Sequence, residues 1–240
     1  MKFLTTCIAI LVILIAQKVE AKSFKDAAGF VSSIKKNGEV LAYESITGNF
    51  DNDGKEDLAL LIHYADSSRS YYRIAVLIKN KRNLFDLFNM SKAGDTSDGL
   101  SAELKQKVGG SLFVYTELPS GFWGTYQFKI INNTITLIGS EIHLSNCQSD
   151  QDHCLGVDTS TNFLTGKIIL HKKIEGGKKV INVASELKAS LPLCELNNFD
   201  FDPYFCVDNI KTSKGMLDDL MRGENSKVNR SFEANGPAGT

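Results

Sequence analysis

The chain has 240 residues with 27 basic and 28 acidic side chains, a formal net charge of −1, and 42% hydrophobic residues. That is enough apolar material for one sizeable core or two small ones. A near-neutral balance without a basic run excludes a surface built for nucleic acid or for anionic membranes.

In chain order, Met1-Lys2 precedes an apolar stretch from Phe3 to Ala16 and then Gln17-Lys-Val-Glu-Ala21. A short positive start, an apolar run too short to span a bilayer and small residues at its end predict a signal peptide over 1–21, cleaved after Ala21. Cys7 follows Thr5-Thr6, which is not a lipoprotein-type sequence. The expected location is therefore secreted or periplasmic. Four cysteines then remain, Cys147, Cys154, Cys194 and Cys206, an even number suited to an oxidising compartment. Four cysteines allow three pairings, of which sequence proximity favours Cys147–Cys154 and Cys194–Cys206. No Cys-x-x-Cys occurs, so these positions read as structural and not as a zinc site.

The first element after the signal reads as a helix, with Ser23 as its cap and Asp26 at the third helical position. Ala27, Phe30, Val31 and Ile34 make one apolar stripe, Lys35 and Lys36 suit the C-terminal dipole, and Asn37-Gly38 ends it. The pattern then becomes β, with strands predicted near 39–46, 57–65, 70–79, 83–89, 111–117, 124–131, 134–143, 156–162, 166–174 and 178–184. Asn132-Asn133 and Gly176-Gly177 are two-residue turns that tolerate positive φ, as tight hairpins require. Residues 185–221 are mixed, with a short helix predicted at 215–222, and 222–240 is a polar tail without apolar period. The fold class that follows is mainly β in a single domain over 22–221. It is an antiparallel meander forming a curved sheet or partial barrel, with an N-terminal helix over part of it and disulfides for support.

Residues 48–58 read Gly-Asn-Phe-Asp-Asn-Asp-Gly-Lys-Glu-Asp-Leu. Side-chain oxygens stand at Asn49, Asp51, Asp53 and Asp57, with Gly54 at the sixth place and the carbonyl of Lys55 at the seventh. Alternating oxygens on a tight turn suit a hard cation that takes six to eight of them. An EF-hand would need Glu at the twelfth place, which here is Leu60, inside an apolar strand-like run. In running from loop into strand, the segment resembles the calcium loops of FG-GAP repeats, the blades of integrin-type propellers, over about a dozen residues. The resemblance implies Ca²⁺ as a cofactor, held by Asn49, Asp51, Asp53, Asp57 and the Lys55 carbonyl. Asn49 stands where that family usually carries Asp, which removes a charge and weakens binding. The chain is too short for a closed propeller and carries no second such loop at a fixed period.

The sole tryptophan lies in Leu118-Pro-Ser-Gly-Phe-Trp-Gly124. Phe122 and Trp123 read either as an exposed aromatic anchor near a hairpin tip or as core residues whose flanking glycines permit close packing. Asp150, Asp152 and His153 read as a solvated loop. Asp200 and Asp202 alternate with phenylalanines, as on an edge strand. Gly-x-Ser-x-Gly and His-Glu-x-x-His are absent, and the Ser-x-x-Lys matches at Ser32 and Ser185 lack the motifs that accompany that nucleophile. His63, His143, His153 and His171 stand singly. These features predict an exported, non-catalytic domain on a calcium-stabilised β-scaffold that binds a protein partner. The alternatives are a periplasmic inhibitor or immunity protein that blocks an enzyme, and a hydrolase whose site is assembled from distant strands.

Overall fold

Two antiparallel sheets stack face to face, and one short helix covers the far side of the first. A computed structural model describes residues 22–35, 39–107, 110–147, 153–176, 179–188, 190–202 and 206. The signal segment 1–21, the helix expected at 215–222 and the tail beyond it lie outside these residues. Asn37, Gly38, Asp150, Asp152 and Gly177 do so too.

The first sheet contains β1 (Ser23–Phe24), β2 (Glu39–Gly48), β3 (Asp57–Ala65), β4 (Ser70–Lys79) and β5 (Phe85–Met90) in the order β1-β5-β4-β3-β2. β6 (Gly94–Asp95) also pairs with β4. The second sheet is an uninterrupted meander, curled into a half-barrel. Its strands are β7 (Ser101–Lys107), β8 (Ser111–Leu118), β9 (Phe122–Ile131), β10 (Thr134–Cys147), β11 (His153–Asn162), β12 (Lys167–Gly176) and β13 (Lys179–Lys188). The curved meander and partial barrel expected from sequence are both present, but a separate sheet lies against them. The apolar run Leu58–Ile62 explains why. All five residues are buried, and a strand buried throughout needs cover on both faces. Leu58, Leu60 and Ile62 pack towards the helix, whereas Ala59 and Leu61 join the core between the sheets. On β9, by contrast, buried and partly exposed positions alternate, so one face is covered.

The helix, α1, spans Ala27–Ile34. Its cap is Asp26 and not Ser23. The Asp26 carboxylate accepts a hydrogen bond from Gly29 N at 2.8 Å, while Ser23 lies in β1 and donates to Asp86 at 2.6 Å. Phe30 and Val31 are its buried residues. The Asn132-Asn133 turn has φ of 50° and 62°, the doubly positive geometry of a type I′ hairpin. Three strands, β1, β6 and β7, were not expected from the sequence. β1 and β6 have two residues each, and β7 is the charged edge Ser-Ala-Glu-Leu-Lys-Gln-Lys. Edges carry such residues because they must not recruit another chain.

Past β13 the chain folds back into the mouth between the sheets. A 3-10 turn spans Leu196–Asn198, and the side chains of Leu196, Phe199 and Phe201 are buried there. The edge strand expected around Asp200 and Asp202 is not formed. Phe199 and Phe201 are buried while Asp200 and Asp202 are exposed, as they would be on a strand, but Phe201 has φ 67°, a left-handed conformation outside the β region. Cys194 and Cys206 are disulfide-bonded, with Cα atoms 6.1 Å apart, and close this segment. Cys147 and Cys154 stand directly opposite each other in the β10–β11 register. Replacing Cys194 and Cys206 together by serine is expected to cost about 3 kcal/mol on loop-closure entropy. Urea unfolding monitored by circular dichroism reads the loss.

Candidate functional site

The oxygen-rich loop joins β2 to β3, and two residues nail it to the scaffold. Phe50 is buried in the core between the sheets. Asp57 is 0% exposed, although it is an acid. Its Oδ2 accepts from Phe50 N at 2.8 Å and from Asp51 N at 3.4 Å. Its Oδ1 accepts from Lys79 N at 2.9 Å, at the end of β4. One carboxylate thus ties the loop to two strands. Burial pushes the Asp57 carboxyl above the usual range, against the pull of the Lys79 and Phe50 amides, and the Asp51 charge adds to the push. The second sheet approaches as well. At Gly110, in the β7–β8 turn with φ 71°, an added Cβ would lie 2.7 Å from the Asn49 carbonyl, so this contact requires glycine.

The exposed tip is organised by its own side chains. Asn49 Oδ1 accepts from Gly54 N at 3.2 Å, Asp51 Oδ1 from Asp53 N at 3.0 Å, and Asp53 Oδ1 from Lys55 N at 2.8 Å. Positive φ at Asn52 (63°) and Gly54 (88°) makes the tight winding possible. The Lys55 ammonium pairs with the other Asp53 oxygen and holds that carboxyl below its ordinary range. The Asp51 and Asp57 charges reinforce the ammonium's own upward shift. The donors are hard oxygens, which suit Ca²⁺. Yet the Asp57 oxygens are engaged by amides, and Asp53 by an amide and by Lys55. Among the described residues no three His, Cys, Asp or Glu side chains converge as metal ligands.

The second expected site is divided by the pleat. Phe122 is buried in a small cluster with Ile142. Trp123, its neighbour on β9, points to the other face and is partly exposed. The two residues therefore do not form a joint exposed anchor. Trp123 instead belongs to a cross-strand aromatic ladder on the outer face of the curled sheet. Its ring stacks on His143 at 5.2 Å and 12°, and on Tyr115 at 6.3 Å and 28°. His143 Nδ1 lies 2.6 Å from Asp158 Oδ1 across the next strand pair. At the other end Lys105 sits 4.5 Å over the Tyr115 ring, and Tyr115 donates to Glu117 at 3.1 Å. Nothing in the sequence around Trp123 announces Lys105, Tyr115, His143 or Asp158 as its partners. Asp158 orients the imidazole, but among the described residues no hydroxyl or thiol hydrogen-bonds to His143. The ladder is aromatic along its length with charged side chains at its ends.

Comparisons with protein-family models, curated proteins and solved structures find no match to this chain. Among the described residues no helix is long and apolar enough to cross a membrane.

Proposed function

We propose that this chain is an exported, non-catalytic binding domain that presents the Trp123 ladder to a protein partner, on a scaffold tightened by calcium at the β2–β3 loop. The carrying observation is the ladder itself. Three aromatic rings from β8, β9 and β10 are aligned on a face that the inter-sheet core does not use. Rigid aromatics of this kind dominate binding energy at protein interfaces, because they bury much area for little lost entropy. Export is supported by the signal-like start and by the Cys194–Cys206 disulfide. Trp123→Ala is expected to abolish capture of a stoichiometric partner from envelope extract. The same change should lower stability by only about 1 kcal/mol, the value of exposed stacking. Equal capture by both forms would remove the ladder from the reading.

Calcium enters through the donor set and its register, Asn49, Asp51, Asp53, the Lys55 carbonyl and Asp57. Binding requires the Lys55 ammonium to leave Asp53, and Asn49 brings no charge, so an affinity on the order of 10⁻⁴ M is expected. At a hundredfold excess over that value, mass action stabilises the native state by about 2.7 kcal/mol. Differential scanning calorimetry should show melting raised in 10 mM Ca²⁺ relative to chelator, and the rise should vanish in Asp53→Ala. Identical melting in both conditions would reduce the loop to an ordinary turn.

A further inference from the structure

Where α1 ends, the first sheet runs on beyond it, and a cleft of about 490 Å³ opens over the exposed part. That volume is in the range of small-molecule sites. Ile34, Val40, Ile62 and Met90 supply apolar walls, and Tyr64 and Tyr71 stack at 5.4 Å along one side. Arg73, directly opposite Ile62 in the β3–β4 register, lies on the floor.

This arginine is unusual in its company. Its Nε is shut off from solvent and has no hydrogen-bond acceptor. Its Nη1 reaches the Met90 thioether at 3.9 Å, and its guanidinium stands 5.6 Å from the Tyr64 ring centroid. No carboxylate forms an ion pair with it among the described residues. The one acid lining the cleft, Asp66, is engaged elsewhere. Its Oδ1 accepts from Ser68 N at 2.9 Å, Ser68 Oγ at 3.0 Å and Arg69 N at 3.0 Å. A permanent positive charge thus stands against the Met90 thioether and the Tyr64 ring at the base of the cleft, with the Asp66 carboxylate as the one acid on its wall. A guanidinium in that setting presents its remaining donors to a planar anion, and a carboxylate matches that fork geometry.

We propose that this cleft binds a small amphiphilic carboxylate, its head on the Arg73 guanidinium and its apolar body against Ile34, Val40, Ile62 and Met90. The site is separate from the aromatic ladder and from the β2–β3 loop, and it stands or falls without them. Titration calorimetry of the full chain with octanoate, octanol and octylammonium tests it. Octanoate should bind with one-to-one stoichiometry and at least about tenfold more tightly than octanol, the worth of one charge-assisted pair. Octylammonium should not compete. Arg73→Met, which preserves the stem and removes the charge, should erase the preference for the carboxylate. Ala93→Phe, which fills the cleft from its rim and leaves Arg73 in place, should block octanoate, while Trp123→Ala should leave it unchanged. Absence of octanoate binding, equal binding of octanol, or a preference that survives in Arg73→Met overturns the proposal. If Arg73→Met does not fold, Ala93→Phe decides, since octanoate binding retained there places the ligand elsewhere.

Discussion

Phe199→Ala is expected to destabilise the protein by about 3–5 kcal/mol, the cost of emptying a fully packed aromatic site. The Phe199 ring has 0% exposure. Its centroid lies 5.0 Å from Tyr126, 5.3 Å from Phe128 and 4.9 Å from Phe201. Tyr126 and Phe128 belong to the concave face of the curled sheet, and Phe201 sits against Gly94 of the first sheet. A Cβ at Gly94 would come within 2.4 Å of the Phe201 ring, so no side chain is tolerated there. The segment carrying Phe199 is held by Leu137 N donating to the Cys194 carbonyl at 2.8 Å. It is held also by the Thr136–Glu195 bridge. It acts as a plug that both sheets grip, and a cavity at its centre cannot be closed by moving either sheet alone. Melting should fall by roughly 10 °C or more for a domain of this size. Leu164→Ala, at a site 57% exposed, should change stability by no more than about 0.5 kcal/mol. Similar losses for the two variants would show that the plug carries no special share of the core.

What could be read from the sequence, and what could not, has a physical pattern. The strands of the meander from β8 onward were legible because hairpins are local. Alternation in Tyr126-Gln-Phe128-Lys-Ile130 and two asparagines able to adopt positive φ specify β9, its turn and the start of β10. The Trp123 ladder was hidden by one residue. A regular two-residue turn pairs Thr134 with Ile131, and continuing that register would place Ile142 opposite Trp123. A bulge between Leu137 and Gly139 shifts the pairing, so that His143 faces Trp123 instead. One inserted residue transfers everything beyond it to the other face, and nothing in Leu137-Ile-Gly139 announces it. The split into two sheets left a trace in Leu58–Ile62, too continuously apolar for a strand with one wet face, which the expectation of one curved sheet did not use. The plug was not, because Phe199 and Phe201 alternate with Asp200 and Asp202 as on an edge strand, and nothing in that alternation announces the left-handed backbone at Phe201 that takes the segment out of the β region. The Arg73 cleft depends on where α1 stops relative to β3 and β4, which is tertiary information.

In the β2–β3 loop the residues expected as cation ligands divide their work in the structure. Asp53 belongs to the exposed tip and Asp57 to the buried base. Asp57→Ala is expected to cost about 3–5 kcal/mol, since three backbone N–H groups lose their acceptor and each buried orphan costs about 1–3 kcal/mol. Asp57→Asn, which keeps one oxygen, should cost less and fold well enough for a pH series. The sign follows from burial. The folded-state pKa of Asp57 is raised above 3.8, so in the window just above that value the native state binds more protons than the unfolded chain. Its contribution is then greatest below the window and declines as pH rises through the folded pKa. The stability difference between wild type and Asp57→Asn should accordingly shrink between acid and neutral pH, when both are unfolded by urea in the presence of chelator. Bound calcium is expected to reverse the slope. A cation at the loop favours the ionised carboxylate, so in millimolar Ca²⁺ the same difference should widen as pH rises. A calcium series that retraces the chelator series would leave Asp57 as a purely structural clamp.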